Sequence, residues 1–458
     1  MVLARCFRVT AIVALWFTPF ADDALAAGAD RPLADYVASE DGHFEWAPRT
    51  QGRLGDAEYV ELTLTSQNWR GIPWHHQLFV IRPESLGPAA SHALLFIDGG
   101  SWRDSYAEAP ADGADELPDE AELFAALAEL LGAPVAVLRQ VPHQPLFDGL
   151  TEDRLIAKTF DAFLETGETD WPLLVPMVKS VVRGMDAVQA YVSDEWALEV
   201  ETFTLTGASK RGWTTWLTGA VDPRVTALAP IVIDVLNMEA HLELAEAVWG
   251  EHSSQIAPYT ELDLHRQLDT ERGQALLDIV DPYRYRDALT QPKLIILGTN
   301  DEYWPLEALN LYRDDLEGDN HVLYMPNSGH RVRDRERIVA GVAALHRSVA
   351  GDAPMPKVDW SFDVDDGALA VTLEASPEPR RVRVWSADSA GPDMRDAQWS
   401  SSALESGDGV YRHQLSRSDD RYQAMFLEVE YDGHGGLPLY LTTALRKLPP
   451  AASADSDD

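Results

Sequence analysis

The chemistry in this chain concentrates in the string Gly207-Ala208-Ser209-Lys210-Arg211-Gly212, between a β-rich run, Phe203 to Thr206, and a helical stretch opening near Trp213. A strand that turns sharply into a helix forces a serine at its apex into a tight backbone conformation. Small neighbours let the turn close, and the hydroxyl is presented at the top of the sheet. A serine hydroxyl alone is a weak nucleophile. It needs an imidazole to take its proton and a carboxylate to fix the imidazole tautomer. Those partners should follow in chain order, acid before histidine, at the ends of later strands. Lys293 to Leu297 runs into Gly298-Thr299-Asn300-Asp301-Glu302, and His321 to Met325 runs into Pro326-Asn327-Ser328-Gly329-His330. Ser209, Asp301 and His330 are therefore the expected nucleophile, orienting acid and base, with Glu302 and Asp234 as competing acids. A plainer reading makes Ser209 only a helix cap. The second glycine also comes one position later than in the commonest Gly-x-Ser-x-Gly turn, with Arg211 in its place. That leaves the turn geometry open, and with it a second class of function: a binding or signalling protein whose catalysis is vestigial.

An acyl-transfer intermediate carries an oxyanion that requires two N–H donors. The backbone N–H of Lys210 is one. The other is expected from Gly100 or Ser101, in the loop Asp98-Gly99-Gly100-Ser101-Trp102 that follows the apolar run Ala93 to Ile97. The side chains of Lys210 and Arg211 either bind an anionic substrate group, as in a uronate ester, or pair with local acids. His75 and His76 lie in a β-rich region, where packing or capping explains them better than metal binding. Trp102, Trp213, Trp216 and Trp304 stand close in sequence to these residues and belong to the core or to a pocket wall. The chain has no His-Glu-x-x-His, no phosphate-cradling glycine loop and no dinucleotide fingerprint, so no metal and no cofactor is expected.

The elements that must position these groups follow from periodicity. Tyr59 to Ser66 and Gln77 to Ile81 read as a leading hairpin. Ala93 to Ile97, Pro134 to Leu138, Phe203 to Thr206, Ala227 to Ile233, Lys293 to Leu297 and His321 to Met325 read as buried strands. Helical patterns alternate with them: Asp119 (as N-cap) to Leu131, Pro176 to Val192, and Asp334 to Ala350. Continuous apolar strands alternating with helices predict an α/β fold with a mostly parallel sheet covered on both faces. The stretch from Asp234 to Gln291 is too long for a strand connection and reads as a helical cap over the sheet's C-terminal edge. From residue 355 to 448 short alternating runs predict a separate small β-sandwich, followed by an acidic tail over 449–458.

The 458 residues carry 37 Lys+Arg against 75 Asp+Glu, a net charge of −38, which makes nucleic acid an improbable partner. Arg5 and Arg8 precede an apolar run from Val9 to Phe20, and Ala24-Leu25-Ala26 follows as a cleavage site. That run is shorter than the ~20 residues a membrane span needs. Residues 1–26 are thus expected to be a cleaved export signal, and the mature protein a soluble periplasmic or secreted one. Cys6 is the only cysteine and falls within the signal, so neither a disulfide nor a cysteine nucleophile is expected.

Long strings of the chain, LTSQNWRGIPWHH, RQVPHQPL, TDWPLLVPMVKSVVRGMDAVQ, TGASKRGWTTWLTGAVDPRV and VIDVLN, resemble the PhoPQ-activated pathogenicity-related family, also called the autocrine proliferation repressor family. The resemblance runs from about Tyr59 to His330. It implies an exported protein with an α/β-hydrolase fold whose serine motif falls on Ser209, with Asp301 and His330 completing the triad. The late glycine of TGASKRGW is part of the family's pattern. The expected protein is then an exported serine hydrolase, an esterase or peptidase acting on a small ester or peptide, whose C-terminal domain restricts access or meets a protein partner.

Overall fold

A computed structural model describes residues 32–451, apart from 109–116, 118, 119 and 366. The expected export signal, the Asp119 cap and residues 452–458 of the acidic tail lie outside the described residues. The chain opens with a short helix, α1 (Pro32–Ala38), and three antiparallel strands, β1 (Glu45–Leu54), β2 (Ala57–Trp69) and β3 (Ile72–Arg82). Alternation then sets in: β4 (His92–Ile97), α2 (Ala121–Leu131), β5 (Val135–Leu138), α3 (Glu152–Thr166), α4 (Leu174–Trp196), β6 (Thr202–Ala208), α5 (Lys210–Val221) and β7 (Val225–Ile231). The cap follows, with α6 (Met238–Trp249), α7 (Ala257–Thr260) and α8 (Glu271–Val280). The chain returns through β8 (Lys293–Gly298), β9 (Asn320–Met325) and α9 (Arg335–Val349).

The strands order as β1-β2-β3-β5-β4-β6-β7-β8-β9, and of β2 to β9 only β3 runs against the rest. This is the α/β-hydrolase architecture that the sequence led us to expect. The period of two explains its two cores. In β8, Leu294 and Ile296 pack with α2 and α9 residues such as Ala128 and Val342. Ile295 and Leu297 face the opposite layer, which holds Val181 of α4 and Leu217 of α5. Because both faces are covered, the middle strands contain almost no polar side chain that needs solvent. No helix among the described residues is long and apolar enough to cross a membrane.

Antiparallel strands occupy the C-terminal region: β10 (Lys357–Asp365), β11 (Ala368–Ser376), β12 (Arg381–Ser389), β13 (Ser400–Ala403), β14 (Val410–Ser416), β15 (Tyr422–Asp432), β16 (Pro438–Thr442) and β17 (Arg446–Leu448). They form two layers. One is the three-stranded sheet β10-β11-β14. The other continues the central sheet, because β16 pairs with β9 at Thr442 and Val322 and the order runs on through β15, β12 and β13. The backbone N–H of Tyr324 donates to Thr442 Oγ1 at 3.0 Å across the same seam.

Candidate active site

Ser209 stands where β6 becomes α5, with φ 57° and ψ −128°, a left-handed conformation that a non-glycine residue adopts only when its surroundings impose it. The glycines show how. A Cβ on Gly207 would lie 2.9 Å from the backbone carbonyl of Arg211. One on Gly212 would lie 2.6 Å from Ile233 Cγ2 and 2.8 Å from the Gly207 carbonyl oxygen. The late glycine is thus the residue that lets the first turn of α5 close against β6. The Ser209 N–H donates to the Ile231 carbonyl at 2.8 Å, tying the turn to β7. The serine side chain makes no capping bond to its helix.

The hydroxyl instead meets a histidine. His330 Nε2 lies 2.9 Å from Ser209 Oγ, while Nδ1 lies 3.0 Å and 3.2 Å from the two oxygens of Asp301. Asp301 is 7 % exposed, and its Oδ1 also accepts the Tyr303 N–H at 2.9 Å. Burial raises its carboxyl above the ordinary value, and the histidine pulls it back. The Tyr303 ring packs on the His330 ring with centroids 4.0 Å apart, which limits the ways the imidazole can turn. Of the competing acids, Glu302 accepts the His330 backbone N–H at 3.0 Å and so holds the main chain of the loop. Asp234 is buried beside Tyr312 and Asp301, and burial pushes its carboxyl up to about 7.

The loops carrying Asp301 and His330 are braced from the C-terminal region. Asn300 Nδ2 donates to the carbonyls of Arg395 and Ala397, at 3.0 and 2.8 Å. Asn327 exchanges two bonds with the backbone of Trp399, at 3.0 and 2.8 Å. Thr299 Oγ1 joins the two loops, donating to Asn300 Oδ1 and accepting the Asn327 N–H.

The remaining expected residues divide. Lys210 is the first residue of α5, where a backbone N–H has no partner inside the helix. Gly100 takes φ 105° and its carbonyl accepts from Gln144 Nε2, while Gly99 packs against the Arg211 guanidinium so closely that a Cβ would clash at 2.3 Å. Ser101 is exposed on the same loop. Arg211 does not behave as a substrate ligand. It is 9 % exposed, its Nε donates to the Val141 carbonyl, and both terminal nitrogens bond Glu152 at 2.7 Å. Lys210 Nζ reaches Glu152 and Asp153 at 3.0 and 3.3 Å. Pairing with local acids is what both cations do. Burial alone would raise the Glu152 carboxyl, but Arg211 and Lys210 hold it well below the usual carboxylate range.

Ser209 and Lys210 open onto a cavity of about 130 Å³ roofed by the cap helices, with Trp213, Tyr259, Val280 and Trp304 in its walls. Of the other singled-out aromatics, Trp216 is fully buried in the core and Trp102 packs on His75 and Tyr106. His76 is buried, bonding Ser66 Oγ at 2.9 Å and the Arg139 carbonyl at 3.1 Å.

A model of the PhoPQ-activated pathogenicity-related protein family matches residues 33–396. The chain belongs to that family. The autocrine proliferation repressor protein A of Dictyostelium discoideum is 30 % identical to this PhoPQ-activated pathogenicity-related chain over 436 residues, covering 87 % of the chain and 86 % of the relative. Among solved structures, acetyl xylan esterase 1 from Thermoanaerobacterium sp. is similar at 17 % identity and a TM-score of 0.45, over 66 % of this chain and 87 % of that one. A glucuronoyl esterase from Solibacter usitatus is similar at 13 % identity and a TM-score of 0.39, over 69 % and 91 %.

Several residues at the site carry no sequence signal. Glu152 and Asp153 open α3, far from Ser209 in the chain, and look like ordinary acids of a helix's first turn. Asn300 and Asn327 look like turn residues. Only Tyr303 had a hint, standing two residues past the expected acid, within reach of whatever that acid touches.

Proposed function

We propose that the protein is a serine hydrolase that cleaves a small ester or amide outside the cytoplasm. One observation carries the reading: the His330 imidazole lies within hydrogen-bond reach of both Ser209 Oγ and the Asp301 carboxylate. In this reading Ser209 Oγ attacks the substrate carbonyl carbon as its proton passes to His330 Nε2. Asp301 holds Nδ1–H and stabilises the imidazolium. The Lys210 N–H, together with a donor from Gly100 or Ser101, takes the oxyanion. His330 then gives its proton to the leaving alcohol or amine, and a water deprotonated by the same ring releases the acyl group. The small volume of the cavity beside Ser209, about 130 Å³, favours a small substrate group. Export rests on the leader at Arg5, Arg8 and Ala24 to Ala26.

The non-catalytic alternative expects Ser209 and His330 to stand beyond ~3.2 Å, and their 2.9 Å separation favours the enzyme. A uronate esterase would need Lys210 and Arg211 to leave Glu152 and Asp153 for the substrate. A fluorophosphonate probe tests the proposal. Labelling of the wild type that disappears in Ser209→Ala is the expected result. An unlabelled wild type, or equal labelling of the two proteins, overturns it. Small acyl esters, methyl uronates and dipeptide amides, tried side by side, then sort the substrate class.

A further inference from the structure

The serine-hydrolase reading leaves a buried side chain of the cavity wall without a task. His241, on α6 of the cap, is 4 % exposed and lines the same cavity as Ser209. Neither of its ring nitrogens has a hydrogen-bond partner among the described residues. Burial pushes the imidazole down to about 3, so at neutral pH it offers one N–H and one lone pair. Trp304 meets it edge-on at 5.5 Å and lines the cavity as well, and its indole Nε1 is also buried without a partner among the described residues. The surrounding wall is mostly apolar, with Trp213, Val235, Leu276 and Val280, and its Lys210 is already paired with Glu152 and Asp153. Buried polar atoms are ordinarily paired, and leaving them unpaired in an apolar recess is costly. Two such side chains in contact, in the walls of the recess beside Ser209, mark where a polar atom of a ligand belongs.

We propose that His241 is a specificity-determining residue that binds a hydroxyl group on the substrate's acyl chain. A hydroxyl donates one bond and accepts others, which matches a neutral imidazole and a neighbouring indole N–H. A carboxylate fits poorly, because the imidazole carries no charge and Asp153 lines the same cavity. A plain alkyl chain would leave these nitrogens unpaired. The acyl side is the one held at Ser209 in both half-reactions, joined to its Oγ in the first and released to water in the second, and so the one suited to a recess walled by the cap. The substrate class is therefore an ester or amide of a short, otherwise apolar hydroxyacyl group.

This inference rests on the serine-hydrolase reading, and its test separates the two. The p-nitrophenyl esters of butanoate and 3-hydroxybutanoate, and of hexanoate and 6-hydroxyhexanoate, are compared by kcat/KM. The corresponding amides are titrated into Ser209→Ala and followed by tryptophan fluorescence. In at least one pair the hydroxylated member is expected to lead by about tenfold or more, because a site built for a hydroxyl rejects the analogue lacking it. His241→Leu erases that lead, and His241→Gln, which keeps a donor and an acceptor, retains part of it. Equal kcat/KM within both pairs, or an unchanged lead in His241→Leu, overturns the inference while leaving the hydrolase intact. If the wild type neither turns over nor takes the fluorophosphonate label, the hydrolase reading fails and amide binding alone decides the subsite. Tighter binding of a hydroxyamide then supports it, and equal binding within both pairs overturns it.

Discussion

Two neighbouring parts of the site are held by different means. The Ser209 turn is fixed by its immediate neighbours: Gly207 and Gly212 bring β6 and α5 into backbone contact, and the Ser209 N–H bonds Ile231 of the adjacent β7, which together impose the left-handed conformation of the serine. The loops bearing Asp301 and His330 are fixed from outside, by Asn300 and Asn327 reaching the backbone of Arg395, Ala397 and Trp399 between 72 and 97 residues later. The first device is steric and local. The second is a set of hydrogen bonds that exists only once the C-terminal strands have docked. The nucleophile should therefore tolerate distant changes that disturb its base and acid.

Substitutions can break or sharpen that contrast. The largest effect is expected from Asp301→Asn, which alters the chemistry and spares both supports, since an amide oxygen still accepts the Tyr303 N–H. Hydrolysis of a p-nitrophenyl ester should slow by about 10⁴-fold, as when the orienting acid of a serine protease is neutralised, with the urea midpoint nearly unchanged. Gly212→Ala attacks the steric device. Its new methyl meets the Gly207 carbonyl and Ile233, so a loss of about 1–3 kcal/mol in urea melts and roughly 100-fold in kcat is expected. Asn327→Ala attacks the outer brace and leaves the Trp399 N–H unpaired. Here about 1–3 kcal/mol of stability should go with only about a tenfold loss in kcat. If this variant proves as inactive as Gly212→Ala, the contrast between the two devices is wrong.

The smallest effect on turnover is expected at a group that serves neither device, where the change is one of stability. Asp234 has an ordinary pKa of 3.8 and is pushed by burial to about 7. Between those values the folded chain keeps a proton that the unfolded chain has lost, so this group lowers stability as pH rises from about 4 to 7. Asp234→Asn carries no such penalty. Relative to wild type it should gain up to about 4 kcal/mol by pH 7 and nothing below pH 4, as read from urea melts across that range.

The parts legible in the sequence were those where chemistry or periodicity restricts the choice. Buried parallel strands read as unbroken apolar runs, so β4, β8 and β9 fell where expected. Residues at their C-terminal ends could then be matched to the needs of a serine. Other parts had no such signal. β1 has no buried residue and is largely polar, EWAPRTQGRL, with no hydrophobic alternation strong enough to mark a strand. The partnership of Arg211 with Glu152 depends on a long-range approach of α3 to α5 that neither segment encodes alone. The seam between β9 and β16 involves a single registered pair. The change of texture near residue 355 therefore reads as a border, although the sheet runs on from β9 into β16 and β15.

That seam bears on any attempt to shorten the protein. A chain ended at Pro356 would strip the neighbour from β9 and expose a row of free amides and carbonyls beside Val322 and Tyr324. Bare edges of that sort recruit strands from other molecules. The trimmed protein should aggregate from solution before its catalytic competence can be assayed.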